Sequence, residues 1–215
     1  MREPGSTATA YRSFAAQSRH YFAREHVRQP TEPLGSPAAW RGADLRAAWD
    51  AGTADWCYEL SDDDRAEIYA AVAQAPVELA LINRENFILP KLAASVAQWR
   101  RQLARGTGVQ IIKGLPTGEP LEWVRRAYWG LGHHLGEPGA QNPQQELLGE
   151  VRDYREADPN VRLYRTPHNI NLHCDAADVV GLLCLQTAVR GGHSRIVSTV
   201  TLFNALLKER PDVVP

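Results

Sequence analysis

The hydrophobic pattern of this chain changes its period past the midpoint. Up to residue 135, apolar side chains recur at helical spacing between capping residues, prolines and glycines. After residue 146, short apolar segments alternate with Asp, Pro, Asn or Gly-Gly turns, a pattern typical of β-strands. A helical first part that leads into a series of strands predicts an α+β architecture.

Local signals set the expected bounds of these elements. Ser61 and Asp64 form a capping-box pattern, and Thr201 is the expected cap of the last helix. Residues 179–185 are continuously apolar, as expected for a strand covered on both faces. The predicted helices cover residues 43–51, 62–75, 89–105, 120–135 and 202–209. The predicted strands cover residues 109–113, 147–151, 161–166, 170–175, 179–185 and 195–200.

Charge and cysteine content exclude several classes of protein. The 24 Lys and Arg residues balance 25 Asp and Glu residues, so no basic field favours nucleic acid or an anionic membrane. Three separated cysteines indicate reduced thiols, and no apolar run is long enough to span a membrane. We therefore expect a cytoplasmic protein that binds neither nucleic acid nor membrane. Its oligomeric state stays open.

The first 36 residues differ in composition from the rest. They are rich in Pro, Gly, Ser, Thr and Arg and have little apolar periodicity, which predicts a flexible N-terminal extension. The alternative, a small binding arm built from Arg24, His26 and Arg28, has no feature in the sequence that would position it.

The sharpest chemical signal is the segment Leu172-His173-Cys174-Asp175 on a predicted strand. Alternate strand residues point to the same face, so His173 and Asp175 are expected to project together while Cys174 points away. An imidazole beside a carboxylate supplies two of the three ligands of the facial triad that holds non-haem Fe(II). Alone, this short pattern also occurs by chance in unrelated proteins.

The wider sequence resembles the taurine dioxygenase/dichlorophenoxyacetate dioxygenase (TauD/TfdA) family of oxygenases. The resemblance covers about residues 108–214, and more loosely begins at residue 37. It is carried by the order and spacing of GVQIIKGLP (108–116), AYWGLGHHLGEPGAQN (127–142), LLGEVRDY (147–154), DPNVRLYRT (158–166), LHCDAADVVGLLCL (172–185) and GGHSRIVSTVTLFNALLKERPDV (191–213).

The resemblance implies a double-stranded β-helix, the jelly-roll of clavaminate synthase-like proteins, with helices packed outside it. It implies Fe(II) as cofactor, held by His173 and Asp175, with 2-oxoglutarate and O₂ as cosubstrates and a small organic molecule as substrate. Ser194 matches a position whose hydroxyl helps to hold a carboxylate of 2-oxoglutarate. Asn169 matches, in a divergent loop, a position that faces the substrate.

Two family features have no match in this sequence. The second histidine ligand and the arginine that pairs with the distal carboxylate of 2-oxoglutarate lie on late strands of the family's jelly-roll. The one histidine after Asp175 is His193, at a turn expected to face the cosubstrate and not the iron. We therefore expect residues 37–215 to form the N-terminal part of such a domain, without its C-terminal strands.

Three functional readings follow. The first is an Fe(II)/2-oxoglutarate-dependent dioxygenase that oxidises a C–H bond and releases succinate. The second is a catalytically incomplete fragment, or a non-catalytic binding protein, that keeps the fold. The third is a cupin-like metalloenzyme that combines His173 and Asp175 with another histidine and a different metal.

Overall fold

A computed structural model describes residues 11–25, 30–152, 154, 170–175 and 177–214. In this part of the chain, helices dominate and two short strands pair. In chain order the elements are α1 (Phe14–Phe22), α2 (Gly42–Asp50), β1 (Cys57–Glu59), α3 (Asp62–Gln74), a 3₁₀ turn (Leu79–Leu81), α4 (Ala93–Arg105), β2 (Ile111–Lys113), α5 (Leu121–Leu135), α6 (Thr199–Glu209) and a second 3₁₀ turn (Pro211–Val213). No helix among the described residues is both long and apolar enough to cross a bilayer.

Capping residues explain where the central helices begin and end. Ser61 accepts a hydrogen bond from the backbone N–H of Asp64, whose carboxylate accepts one from the N–H of Ser61, so the predicted capping box is formed. Pro120 is the N-cap of α5, and Gly136 follows its last residue. The predictions for α2, α3 and α5 are thus confirmed to within a few residues.

The hydrophobic core lies where α3, α4 and α5 pack together. It includes Ile68 and Val72 from α3, Trp99 from α4 and Ala127 from α5, all almost completely buried. Phe87, in the connection before α4, fills the centre with no exposed surface. These side chains recur at helical spacing along their helices, so burial of one face of each helix stabilises the group.

Two charged side chains join the ends of these helices. Glu67 of α3 is buried, and its carboxylate accepts hydrogen bonds of 2.7 and 2.8 Å from the backbone N–H groups of Lys91 and Leu92, just before α4. The opposite case is Arg126 of α5, whose guanidinium donates to backbone carbonyls at the end of α3. Each charge has the sign that the neighbouring helix terminus favours.

These contacts also account for one difference from the predicted bounds. The helix predicted for residues 89–105 begins only at Ala93. The N–H groups of residues 91 and 92 are held by Glu67 in a turn ahead of the helix, which replaces a side-chain cap from the local sequence.

The two strands form a parallel pair. Cys57 lies opposite Ile111 and Glu59 opposite Lys113. The N–H of Leu60 donates to the carbonyl of Lys113 at 3.0 Å and extends the pairing by one residue. The predicted strand at residues 109–113 is thus present in shorter form, whereas β1 was not expected from the sequence.

Helix α6 is attached to the chain segment before α2. The hydroxyl of Ser198 donates to the carbonyl of Ala38, and that of Thr201 donates to the carbonyl of Trp40 at 2.7 Å. The side-chain amide of Asn204 both accepts from and donates to the backbone of Leu34. The N-cap of α6 is Ser198, not Thr201 as predicted, because the Ser198 hydroxyl accepts from the Thr201 N–H.

The strands predicted after residue 146 are the main difference. The structure has no strand at residues 147–151, 170–175, 179–185 or 195–200 wherever it describes them, and residues 161–166 lie outside the described part. A strand requires a neighbour for its backbone hydrogen bonds, and none pairs with these segments in the described part of the chain. The continuously apolar segment is exposed instead of covered, with Val180, Leu182 and Leu185 open to solvent. The jelly-roll is therefore neither confirmed nor contradicted.

Candidate metal centre

His173 and Asp175 lie side by side on an irregular segment between α5 and α6. The distance from His173 Nε2 to Asp175 Oδ1 is 3.7 Å. The segment is not a strand, but the side chains of His173 and Asp175, two positions apart, still come close to each other. Both remain about half exposed, at 56% and 54%, so a ligand can reach them from solvent.

A hydrogen bond to the backbone sets the protonation pattern of the His173 ring. Its Nδ1 lies 2.8 Å from the carbonyl oxygen of Asn171. A carbonyl oxygen can only accept, so Nδ1 carries the proton and donates. In the neutral ring, the unprotonated atom is then Nε2, which lies 3.7 Å from Asp175 Oδ1. Two acceptor atoms at this distance could share a cation.

The separation of the two donor atoms fits a shared metal ion. Ligand atoms of His and Asp lie about 2.0–2.2 Å from a first-row metal such as zinc, so two donors to one ion can be at most about 4.4 Å apart. The observed 3.7 Å lies within this limit. The hydrogen bond from Nδ1 to a carbonyl is also the usual outer support of a metal-binding histidine.

A third protein ligand is not present in the described part of the chain. Within that part, no group of three His, Cys, Asp or Glu side chains is arranged to hold a metal ion. The pair alone could provide two ligands of the imidazole and carboxylate types that a facial triad uses, and its metal-binding role stays a prediction.

The structure leaves the other residues predicted for the site untested. Ser194 is exposed and makes no hydrogen bond with His173 or Asp175 in the described part of the chain. Asn169 lies outside the described residues. Cys174 is a free, exposed thiol, and His193 is exposed. The roles of these residues stay predictions.

A tyrosine that the sequence did not point to contacts the segment after the metal ligands. A β-carbon on Gly181 would lie 2.7 Å from the hydroxyl oxygen of Tyr128 in α5. Burial raises the pKa of the Tyr128 phenol. Glycine is needed here for close approach, and the only hint in the sequence is a glycine that interrupts an apolar run.

A cavity of about 390 Å³ lies elsewhere, beside α5. Its polar lining is dominated by Arg125 and Glu150, which form an ion pair with each other. Arg125 also pairs with Glu122 of its own helix at 2.7 Å. None of the predicted site residues lines this cavity, so it adds nothing to the metal centre.

Comparison with known proteins finds one matching family and two relatives that are similar to this chain. The model of the family described as "Taurine catabolism dioxygenase TauD, TfdA family" matches residues 57–214. "FR-33289 synthase" of Streptomyces rubellomurinus is 30% identical over 190 residues, which cover 85% of this chain and 55% of that protein. "Taurine hydroxylase-like protein SAT17" of Stachybotrys chartarum is 26% identical over 198 residues, 84% of this chain and 49% of that protein. The chain spans about half the length of these curated relatives.

Proposed function

This chain belongs to the TauD/TfdA dioxygenase family, and from that premise we propose that it is an Fe(II)- and 2-oxoglutarate-dependent oxygenase acting on a small organic substrate. The reaction would oxidise a C–H bond of the substrate and convert 2-oxoglutarate to succinate. When bound, the iron would supply the activation of O₂. The one observation that carries the proposal is that His173 Nε2 lies 3.7 Å from Asp175 Oδ1 while Nδ1 is hydrogen-bonded to the Asn171 carbonyl.

In this proposal, His173 and Asp175 hold the metal from one side. In the neutral ring, the hydrogen bond from His173 Nδ1 to Asn171 favours the tautomer in which Nε2 is available to a metal. The exposure of both side chains would let cosubstrates reach the metal. We further propose that the Ser194 hydroxyl donates to a carboxylate of 2-oxoglutarate and that Asn169 faces the substrate.

We propose that the third metal ligand comes from outside these 215 residues. His193 is the one other histidine after Asp175, and it shares no metal-binding group with the pair among the described residues. The arginine for the distal carboxylate of 2-oxoglutarate would come from outside as well. The alternative, a protein that keeps the fold without a working centre, predicts no Fe(II)-dependent change at all.

The test is Fe(II) binding by the purified chain without O₂, followed by calorimetry, and 2-oxoglutarate decarboxylation with ascorbate. We expect His173→Ala and Asp175→Ala to weaken Fe(II) binding by more than about 10–100-fold, the loss typical of removing even an outer partner of a ligand. Cys174→Ser, which changes the residue between them, is the matched control and should bind like the parent.

The variants also separate the alternatives. Fe(II) binding that survives both His173→Ala and Asp175→Ala would exclude this pair as the metal site. If His193→Ala abolishes turnover as completely as His173→Ala, His193 completes the triad and our assignment of the third ligand is wrong. A parent chain that binds no Fe(II) would favour the non-catalytic alternative.

A further inference from the structure

Helix α1 is attached to the rest of the protein at both of its ends. Before the helix, the N–H of Tyr11 donates to the side-chain carbonyl of Gln145 at 3.0 Å. After it, both terminal nitrogens of Arg24 donate to the carboxylate of Asp178, at 3.0 and 3.3 Å. The helix therefore spans from the loop that follows α5 to the segment that follows the metal ligands.

The contact between Arg24 and Asp178 has the geometry of a directed ion pair. A guanidinium that donates through two nitrogens to two carboxylate oxygens holds its partner in position as well as in distance. The hydrogen bond from Arg24 lowers the pKa of Asp178, against a smaller opposing effect of burial, and the charge of His20 acts in the same direction as Arg24. Asp178 is therefore ionised and available to Arg24 at neutral pH.

Asp178 lies close in sequence to His173 and Asp175, so its ion pair with Arg24 can affect their position. It lies three residues after Asp175, on a segment that no strand pairing holds in the described part of the chain. Within residues 170–175, the described hydrogen bond of His173 is to Asn171 of the same segment and gives no attachment to the body. The described attachments of the following stretch are the Arg24 pair and the contact of Gly181 with Tyr128.

We propose that Arg24 is a positioning residue for the metal centre: through Asp178, it ties α1 to the segment that carries His173 and Asp175 and restricts the motion of these two ligands. This inference rests on the proposed metal-binding role of the two residues. It also gives a purpose to a part of the chain for which the sequence predicted a flexible extension.

The test compares Arg24→Gln, Asp178→Asn and the double variant with the parent. Arg19→Gln is the control, because it removes a positive charge from the same helix at an exposed position with no described ion pair. Two quantities are measured: amide hydrogen exchange of residues 170–175 in the metal-free chain, and the dissociation constant for Fe(II) alone without O₂.

Because the side chains of Arg24 and Asp178 are 45% and 79% exposed, we expect exchange in Arg24→Gln and in Asp178→Asn to be at most about two- to fivefold faster, the range for an exposed ion pair, and Fe(II) binding to weaken by a similar factor. The double variant should be no worse than either single variant, since both changes remove the same contact. High salt should abolish the difference from the parent, because it screens exposed pairs.

Exchange at the parental rate in Arg24→Gln would overturn the inference, as would additive effects in the double variant or an equal change in Arg19→Gln. The exchange measurement needs no metal. A parent chain that binds no Fe(II) would therefore contradict the proposed function, while hydrogen exchange would still decide whether Arg24 restricts the segment.

Discussion

The backbone of Gly130 lies directly against the ring of Phe87. A β-carbon on Gly130 would overlap the Cγ, Cδ2 and Cε2 atoms of that ring, which is itself fully buried. Helix α5 can therefore approach the centre of the core only because residue 130 has no side chain.

Replacing Gly130 with Ala should lower the free energy of unfolding by about 1–3 kcal/mol, the usual cost of overpacking a rigid core. Gly132 is the matched control, since it lies in the same helix and has no atom within 4 Å of a β-carbon placed there. Gly132→Ala should raise stability by about 0.5–1 kcal/mol through backbone entropy. Urea unfolding of both variants measures the difference, and equal effects of the same sign would contradict this packing.

The contact between Gly181 and Tyr128 predicts a variant that a second change repairs. Gly181→Ala would place a β-carbon 2.7 Å from the Tyr128 hydroxyl oxygen, so the segment that contains Gly181 must move away from α5. Tyr128→Phe removes this oxygen, which makes no hydrogen bond with any described residue, and should itself change little.

Hydrogen exchange of residues 177–185 is the measurement. We expect it to be faster in Gly181→Ala and to return toward the parental rate in the double variant with Tyr128→Phe. If the double variant exchanges as fast as Gly181→Ala alone, another contact than the hydroxyl oxygen limits the approach.

The buried carboxylate of Glu67 should be essential for the start of α4. Glu67→Gln leaves one acceptor oxygen and directs an amide NH₂ at one of two backbone N–H donors, so unfolding should become easier by about 1–3 kcal/mol. Asp63→Asn, an exposed change in the same helix, should cost only a few tenths of a kcal/mol, about the lower limit for a charge near a helix N-terminus. Thermal unfolding at neutral pH would show the two costs, and a neutral Glu67→Gln would refute the capping role.

Several of these features were predictable from the sequence, and the reason is that their causes are local. Each end of α3 and α5 that was predicted depends on residues close to that end. The capping box of Ser61 and Asp64 begins α3, and α5 lies between Pro120 and Gly136, as expected. The start of α4 was placed too early because its cap, Glu67, lies on another helix. Ser198 likewise replaces Thr201 as the cap of α6, and its hydroxyl also donates to the carbonyl of Ala38, which is distant in the sequence.

The strands predicted after residue 146 are absent from the described residues for a different physical reason. Alternating or continuous apolar residues show that a segment could be buried in a sheet, but the hydrogen bonds of a strand belong to its partner. The same pattern at residues 179–185 is therefore compatible with the exposed, unpaired conformation observed. For the site, two-residue spacing was enough to bring His173 and Asp175 together, whereas the Asn171 carbonyl and Arg24 could be found only in three dimensions.

The stability of the protein should depend on the protonation of His133. Burial lowers the pKa of His133, the nearby charges of His134 and Arg84 lower it further, and Glu137 opposes them. Its Nε2 is buried without a hydrogen-bond partner among the described residues. As the pH falls, His133 is therefore protonated in the unfolded chain before it is protonated in the folded protein. The free energy of unfolding should decrease as the pH falls below about 6.5, the ordinary histidine pKa, and continue to decrease until the lower pKa of the folded state is passed.

His133→Phe keeps a ring against the edge of Trp129 but removes the titrating group. Between about pH 7.5 and pH 5.5, a range that spans the ordinary histidine pKa, we expect the free energy of unfolding to fall less in this variant than in the parent. His193→Gln, at an exposed position, serves as control. Parallel pH profiles for the parent and His133→Phe would show that another group is responsible.

The exposed apolar residues between Asp175 and α6 should promote self-association. Leu182 and Val197 lie in a stretch with several other exposed apolar side chains, whereas Val77 is an exposed apolar residue elsewhere on the protein. We expect Leu182→Ser and Val197→Ser to reduce the sedimentation of large species at a fixed protein concentration, and Val77→Ser to have less effect. An equal effect of all three would indicate general surface hydrophobicity.

The parallel pairing of β1 with β2 has a kinetic consequence. The chain between the two strands contains α3 and α4, so their hydrogen bonds close a long loop that already includes most of the core. The entropy of closing that loop is recovered only after the helices have packed, which places strand pairing late on the folding route. Destabilising changes at Ile112 should thus accelerate unfolding and leave the folding rate almost unchanged, whereas changes at Ile68 should slow folding.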